Sequence, residues 1–327
     1  MEKVKWSAPG KLILFGEYAV LYGFPCIGMA VDKRIFCEVE KIKENKIFVL
    51  APDIKVKQLS ISIEEIDERK ERKVEFLLKT LSLFFKRYQI SFGLKIKTKS
   101  QFSSLYGLGS SSATVVSLFS SLCDLFKVNV SKKDIFNFSF DTVLKVQGVG
   151  SGVDVAISTF GGVVYYIKPG KKIEKLKTRE MPLIVAYTGK KVNTSKIVKK
   201  VTFEIQRNKR YYEKIFFQIS EIVKKAKIAI ENKNWKELGI LMQQNQEMLR
   251  KFQTPSLKYG VSSQNIEKII KSAMKAGAFG AKLSGAGLGD CVLILGEDKE
   301  KIEKAVKSVG GIPLNLNVDF EGVKKEI

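Results

Sequence analysis

The sequence of 327 residues contains no histidine. This absence excludes a Ser-His-Asp triad, a histidine general base and a zinc site with histidine ligands. Its four cysteines, at positions 26, 37, 123 and 291, lie far apart and form no CxxC pair, so we expect reduced, buried thiols. Any chemistry must therefore use carboxylates, lysines, hydroxyl groups, backbone groups or a hard metal ion.

Long apolar segments are also missing. No run of the sequence approaches the roughly 20 apolar residues that are needed to span a bilayer. The N-terminal segment lacks the apolar core of a signal peptide. We therefore expect a cytoplasmic protein with no membrane partner, and the chain length suggests about two domains.

Acidic residues are outnumbered by basic ones. The chain has 57 Lys and Arg against 34 Asp and Glu, a formal net charge of +23. This excess favours anionic ligands, but the lysines are spread along the chain, which is typical of solvated faces. No cluster of aromatic and basic residues of the RNA-binding kind is present, so we expect no nucleic-acid partner. A non-catalytic nucleic-acid-binding protein is kept as a remote alternative.

Hydrophobic patterning predicts helices and strands in both halves of the chain. Strands are predicted near residues 11–15, 35–41, 48–50, 92–99, 161–167, 182–187, 282–284, 291–296 and 312–318. Helices are predicted near residues 71–88, 111–126, 132–146, 194–232, 234–252 and 263–276. Because the composition shifts near residues 170–190, we predict an N-terminal domain of residues 1–175 and a C-terminal domain of residues 176–327.

Four glycine-rich patches interrupt this pattern: SAPGK (7–11), GLGSSSA (107–113), GVGSGVD (148–154) and SGAGLGD (284–290). In the second patch, the two glycines let backbone amides approach an anion, and three serines open a helix whose dipole favours negative charge. The patch is neither a Walker P-loop nor a Rossmann fingerprint. It predicts a phosphate cradle, with a serine N-cap on a buried helix as the structural alternative.

Two ionisable residues accompany these patches. Asp154 is the last residue of the third patch and comes just after its flexible turn residues. A carboxylate there can accept a hydroxyl proton or orient the nucleophile of a phosphoryl transfer. A capping or turn aspartate is the alternative. Lys11, in the first patch, is a natural electrostatic partner for that carboxylate.

In their order and spacing, the patches resemble the motifs of the GHMP kinases, named for galactokinase, homoserine kinase, mevalonate kinase and phosphomevalonate kinase. SAPGKLILFGEYAVLYGFP resembles the first motif, GLGSSSA the ATP-binding motif and KLSGAGLGDC the third. The resemblance covers the chain nearly end to end. It implies an α+β architecture with a ribosomal-S5-like N-terminal domain and a ferredoxin-like C-terminal domain, and it implies ATP and Mg²⁺ as cofactors.

The resemblance also implies roles for individual residues. Asp154 would be the catalytic aspartate, Lys11 its partner and Ser111 a magnesium ligand. The ATP phosphates would contact Gly107, Leu108, Gly109, Ser110, Ser111 and Ser112. The acceptor would contact Glu17, Tyr18, Thr194, Gly285, Ala286 and Gly287.

Within the family, the first motif is most similar to the mevalonate kinase branch, which implies transfer of the ATP γ-phosphoryl group to the C5 hydroxyl group of mevalonate. The alternative acceptor is 5-phosphomevalonate, because Tyr18 replaces the histidine that is usual in mevalonate kinases and GLGDC leans toward phosphomevalonate kinases. The additional phosphate would need cations, for which the candidates are Lys33, Arg34, Lys190 and Lys191.

Three further points follow from the resemblance. Val143 stands where mevalonate kinases carry a magnesium-binding glutamate, and Asp141 is the nearest replacement. The adenine pocket is expected among residues 50–105. Related kinases often form dimers, so a homodimer is an open alternative, and the sequence does not determine the oligomeric state.

Overall fold

Two β-sheets organise the part of the chain that the computed structural model describes, which is residues 2–69, 71–178, 180–252 and 260–327. The larger sheet contains β1 (Lys3–Phe15), β2 (Cys26–Ile42), β3 (Lys46–Ala51), β4 (Val56–Ser62), β5 (Gly93–Ser100), β6 (Val163–Ile167), β7 (Lys172–Lys175) and, at the end of the chain, β12 (Lys324–Lys325). The smaller sheet contains β8 (Leu183–Tyr187), β9 (Gly280–Ser284), β10 (Cys291–Leu295) and β11 (Ile312–Leu314).

The helices fall into two groups that follow the two sheets. The first group is α1 (Glu75–Tyr88), α2 (Ser110–Leu125), α3 (Lys132–Gln147) and α4 (Val153–Phe160). The second group is α5 (Thr194–Arg207), α6 (Lys209–Glu231), α7 (Trp235–Arg250), α8 (Gln264–Lys275) and α9 (Lys299–Lys307). None of the helices in the described ranges has both the length and the apolar content that a membrane crossing requires.

The larger sheet has the strand order β12-β1-β2-β5-β3-β4, and β6 joins it by pairing with β2 and β7. Among its described strands, β3 and β5 pair in parallel and the other pairs are antiparallel. Buried and exposed residues alternate along β5, which is the pattern of a strand with one covered face. Helix α2 packs against β1 and β2 and is buried on most sides, because α1 and α3 also pack against it.

The smaller sheet has the antiparallel order β11-β8-β10-β9. Every residue of β9 and β10 is buried, as expected for strands that are covered on both faces. Helix α7 approaches β9 closely, because Gly239 has no side chain and a Cβ atom on it would lie 2.5 Å from the Phe279 backbone. This packing places α7 and β9 beside the end of β1, where the two halves of the chain meet.

The sequence predicts most of these elements but misses five, namely β4, β7, β12, α4 and α9. Helix α4 is short and almost continuously apolar, so it lacks the periodicity of a surface helix. Helix α9 is highly charged and buries only Ile302 and Val306. The domain boundary after residue 175 stays a prediction: β7 of the larger sheet ends at Lys175, and β8 of the smaller sheet begins at Leu183.

The C-terminal tail returns to the larger sheet and is fixed there by Arg34. Strand β12 pairs with β1, and Val318 bridges to Val31. The buried guanidinium group of Arg34 forms an ion pair with Asp319 and donates a hydrogen bond of 2.6 Å to the carbonyl oxygen of Gly322. Arg34 is therefore a structural residue that ties the two ends of the chain together.

Replacing Arg34 by methionine should lower the free energy of unfolding by about 3–5 kcal/mol, because the buried carboxylate of Asp319 loses its charge partner. Urea denaturation followed by circular dichroism measures this change. The neighbouring Lys33→Met variant is the matched control: Lys33 makes a partly exposed ion pair with Asp32, so it should change stability by less than about 1 kcal/mol. Equal effects of the two substitutions would contradict the assignment.

Candidate active site

Lys11 connects strand β1 to the loop that precedes α2. Its backbone amide donates to the carbonyl oxygen of Leu108 at 2.9 Å, and its Nζ atom donates to the carbonyl oxygen of Gly107 at 3.3 Å. The same Nζ atom lies 3.6 Å from Oδ1 of Asp154, which is far away in the sequence. The structure thus brings Lys11, the glycine-rich loop and Asp154 together.

The start of α2 has the features of an anion-binding helix end. Gly109 occupies the N-cap position with φ of 74°, and a Cβ atom on it would lie 2.9 Å from the side chain of Lys11. The serine N-cap considered as an alternative is therefore not present, because residues 110–112 are the first three residues of the helix. Their amides have no acceptor within the helix, and no side chain caps them. This end of α2 can accept an anion.

Asp154 is the second residue of α4 and does not lie in a turn. The helix begins after Gly152, whose φ is 84°, where a Cβ atom would lie 2.7 Å from the hydroxyl group of Tyr166. That hydroxyl group donates to the carbonyl oxygen of Ser151 at 2.6 Å, which fixes the turn before the helix. The side chain of Asp154 is 40% exposed and lies in the first turn of α4.

Two cavities meet at the start of α2. The larger, of about 450 Å³, includes Ser110 and Ser111 in its lining, and the smaller, of about 140 Å³, includes Ser112. Eight of the predicted site residues line the smaller cavity: Lys11, Glu17, Tyr18, Ser112, Asp154, Thr194, Gly285 and Ala286. The N-terminus of α2 therefore borders both cavities.

The remaining predicted residues lie close by without lining either cavity. Gly107, Leu108 and Gly109 contact Lys11 from the loop. Gly287 packs against Val261, and a Cβ atom on Gly287 would lie 2.1 Å from the Val261 carbonyl oxygen. Gly287 is thus needed for close packing behind the cavity wall.

Glu17 is buried at the junction of the two halves. Its carboxylate forms an ion pair with Lys282, whose side chain is fully buried, and accepts a hydrogen bond of 3.5 Å from Nδ2 of Asn245. Asn245 also accepts a hydrogen bond of 3.3 Å from the amide of Gly16. Burial lowers the pKa of Lys282, and the charge of Glu17 opposes this effect. The carboxylate of Glu17 is already satisfied by protein groups.

Tyr18 and Ser284 extend this junction toward the smaller cavity. The Tyr18 hydroxyl group donates to the carbonyl oxygen of Ala286 at 2.5 Å, and burial raises the pKa of the phenol, so Tyr18 remains a neutral donor. The Ser284 hydroxyl group accepts from the amide of Ile13 and donates to its carbonyl oxygen, both at 3.0 Å. The Tyr18 bond holds the segment after β1 against the loop after β9, and the Ser284 bonds hold the end of β1 against the end of β9.

The residues near the expected metal position carry few carboxylates. Val143 is buried in the lining of the smaller cavity. Asp141 is exposed and pairs with Lys145 at 2.7 Å, outside the described lining of both cavities. No group of three or more Cys, Asp or Glu residues within the described ranges is arranged to hold a metal ion. The donor set fits a Mg²⁺ ion that is held mainly by phosphates, Ser111 and water.

Sequence reasoning missed three residues of this region: Asn245, Lys282 and Asp290. Lys282 and Asp290 lie in KLSGAGLGDC, the segment that resembles the third GHMP kinase motif. The resemblance implied no role for either side chain. The carboxyl group of Asp290 contacts Gly107, in the loop before α2. Asn245 lies in α7, a helix of ordinary composition, and no sequence motif points to it.

Comparisons with known proteins agree with the fold described above. The family model of the GHMP kinases N-terminal domain matches residues 75–162, and that of the GHMP kinases C-terminal region matches residues 226–311, which confirms the predicted α+β architecture. A mevalonate kinase from Pyrococcus furiosus is 34% identical over 99% of this chain and 98% of its own length.

Solved structures show the same similarity. The mevalonate kinase of Methanococcus jannaschii superposes with a TM-score of 0.79 at 25% identity, covering 97% of this chain and 98% of that one. The Lin0012 protein of Listeria innocua reaches 0.87 at 24% identity, with 99% of both chains covered, which shows the fold alone. Because both family regions match and the Pyrococcus relative is similar along the whole chain, this protein belongs to the GHMP kinases, in the mevalonate kinase family.

Proposed function

We propose that this protein transfers the γ-phosphoryl group of ATP to the C5 hydroxyl group of mevalonate. The observation that carries the proposal is the position of the α2 N-terminus between two cavities, with Lys11 and Asp154 in the smaller one. A nucleotide in the larger cavity and a small alcohol in the smaller one would meet at this helix end. Phosphoryl transfer depends chiefly on such alignment and on charge neutralisation.

The larger cavity suits a nucleoside. Its lining includes Ile35, Val74, Leu77 and Phe102, which offer apolar surface to an adenine ring. Most of its lining lies between residues 53 and 106, close to the range in which the adenine pocket is expected. The serines at the start of α2 lie at this cavity too, so the phosphates would reach the helix amides.

Asp154 and Lys11 have different roles in the proposed phosphoryl transfer. The carboxylate of Asp154 accepts the proton of the C5 hydroxyl group, or directs it, as the oxygen attacks the γ-phosphorus atom. The ammonium group of Lys11, 3.6 Å away, offsets negative charge on the transferring group. Backbone amides and serine hydroxyl groups at the start of α2 hold the phosphates in line with the acceptor.

Ser111 would hold the magnesium ion that accompanies ATP, together with phosphate oxygens and water. The bound ion would supply further neutralisation of the phosphate charge. Because Val143 is apolar and Asp141 is engaged with Lys145, helix α3 adds no carboxylate to the described lining of the smaller cavity.

The charges of the smaller cavity favour mevalonate over 5-phosphomevalonate. Lys11 is the only cationic residue among the described residues that line it. Arg34 is committed to Asp319 and Lys33 pairs with Asp32. Lys190 and Lys191 are exposed and do not belong to the described lining. The phosphate group of 5-phosphomevalonate would therefore find no cation other than Lys11 in the described lining.

The specificity constant kcat/KM for mevalonate should exceed that for 5-phosphomevalonate by about 100-fold or more, because a site without paired cations disfavours the additional phosphate. A coupled assay of ADP release with each acceptor measures both constants. A higher kcat/KM for 5-phosphomevalonate would reverse the acceptor assignment and leave the phosphotransferase assignment in place.

Replacing Asp154 by asparagine should lower kcat by about 10³-fold, because the proton of the acceptor hydroxyl group loses its base. ATP binding, measured by calorimetry, should be preserved or slightly tighter, since a negative charge near the phosphates is removed. Asp141→Asn, which removes an exposed carboxylate on α3, should keep full activity. Full turnover by the Asp154 variant would refute its catalytic role.

Replacing Lys11 by methionine, which keeps the length of the buried stem, should lower kcat by about 10²- to 10³-fold and raise the KM for ATP much less. The reason is that the ammonium group counters charge that grows in the transition state. Steady-state kinetics with varied ATP separates the two constants. Lys299→Met, on the exposed face of α9, is the control. A rise in KM at constant kcat would indicate that Lys11 only binds ATP.

A further inference from the structure

Asp290 is a buried acidic residue that the proposed reaction does not use. It directly precedes β10 and adopts a left-handed backbone conformation with φ of 55°. Its amide donates to the carbonyl oxygen of Lys190 and its carbonyl oxygen accepts from the amide of Thr188, both at 2.8 Å. Its Oδ1 atom accepts from the amide of Val192 at 3.3 Å. The side chain is therefore fixed and only 7% of the residue is exposed.

The carboxyl group of Asp290 lies directly against the phosphate loop. A Cβ atom on Gly107 would lie 2.7 Å from both Oδ2 and Cγ of Asp290, so the carboxyl group occupies the space beside this glycine. No hydrogen bond from the described residues reaches Oδ2. One oxygen of a nearly buried carboxyl group is thus left without a protein donor at the loop that would hold the ATP phosphates.

The surroundings of Asp290 act on the pKa of its carboxyl group in two directions. Burial raises the pKa of its carboxyl group, while the amide of Val192 and the charges of Lys11 and Lys191 act in the opposite direction. Lys11 also donates to the carbonyl oxygen of Gly107. The same glycine is therefore bordered by a cation and by an acidic group.

A carboxylate in this place interacts unequally with the two forms of ATP. Metal-free ATP carries about four negative charges, and bound magnesium cancels about two of them. Repulsion between like charges grows with charge and is weakly screened in a buried site. Any direct attraction between the free oxygen and the metal ion would act in the same direction, because it stabilises only the magnesium-bound form.

We propose that Asp290 makes the phosphate site selective for magnesium-bound ATP over metal-free ATP. This inference rests on the proposed function, because it takes residues 107–112 as the place where the ATP phosphates bind. Asp154 and Glu17 also place carboxylates at the smaller cavity, but Asp154 serves the acceptor in the proposed reaction and Glu17 is paired with Lys282. Asp290 lies outside the described lining of both cavities and contacts the phosphate loop itself, which is why it is the candidate.

The test compares two dissociation constants in the full chain and in the Asp290→Asn variant, which keeps the shape of the side chain and an acceptor for the Val192 amide. Calorimetry without acceptor, at about pH 8, measures binding of a non-hydrolysable ATP analogue. One arm contains excess chelator and the other contains saturating Mg²⁺. The variant should bind the metal-free analogue about tenfold more tightly relative to the magnesium-bound analogue than the natural protein does.

Two control variants sharpen the result. Asp141→Asn removes an exposed carboxylate on α3 and should leave the ratio of the two dissociation constants unchanged. Asp290→Ser is smaller and neutral, and it should reproduce the change in ratio if the asparagine variant does not fold. Thermal melting shows whether each variant keeps the native structure.

The possible results separate this inference from the proposed function. If both forms of the analogue gain or lose affinity equally in folded Asp290 variants, the selectivity role is overturned and Asp290 only supports the loop. If the natural protein binds neither form, the assignment of residues 107–112 to ATP phosphates fails, and the proposed function fails with it. A ratio that changes in the Asp290 variants alone supports the inference.

Discussion

The unsatisfied amides at the start of α2 are the constraint on which the rest of the site depends. Because Gly109 precedes the helix and no side chain caps it, residues 110–112 present donors that a folded protein must pair with water or with a ligand. A triphosphate supplies acceptors of the right charge. The fold then has to bring a nucleoside pocket, an acceptor pocket and Lys11 to this helix end, and strand β1 does so through its bonds to Leu108 and Gly107.

The smaller cavity is lined by residues from both halves of the chain, so the junction between them has to be fixed. Glu17 and Lys282 form a buried ion pair there, and Tyr18 reaches the carbonyl oxygen of Ala286. A buried ion pair is a weak source of stability, because desolvation offsets much of the attraction between the charges. We infer that its main effect is positional: it sets where the segment after β1 lies relative to the loop that carries Gly285 and Ala286.

What could be predicted from the sequence was local in origin. The glycines and serines of GLGSSSA predict the backbone conformation of this segment. The start of α2 and the predicted phosphate cradle therefore follow from glycine and serine chemistry. The partners of Glu17 could not be found in this way, since Asn245 and Lys282 approach it only through the packing of α7 and β9. Helix α4 was missed because a short, largely apolar segment gives no periodic signal, so the sequence did not show that Asp154 lies in the first turn of a helix.

The net charge of +23 also shows why composition alone was a poor guide to the ligand. A general excess of lysine attracts any anion at long range, whether nucleic acid, phosphate or nucleotide. Discrimination requires charges at fixed short distances, where solvent screens them least. Around Gly107 the chain places one buried cation, Lys11, and one buried acidic group, Asp290. Because these two groups would act in opposite directions on a phosphate, we infer that the local balance between them, rather than the total charge, selects the charged form of a nucleotide at this loop.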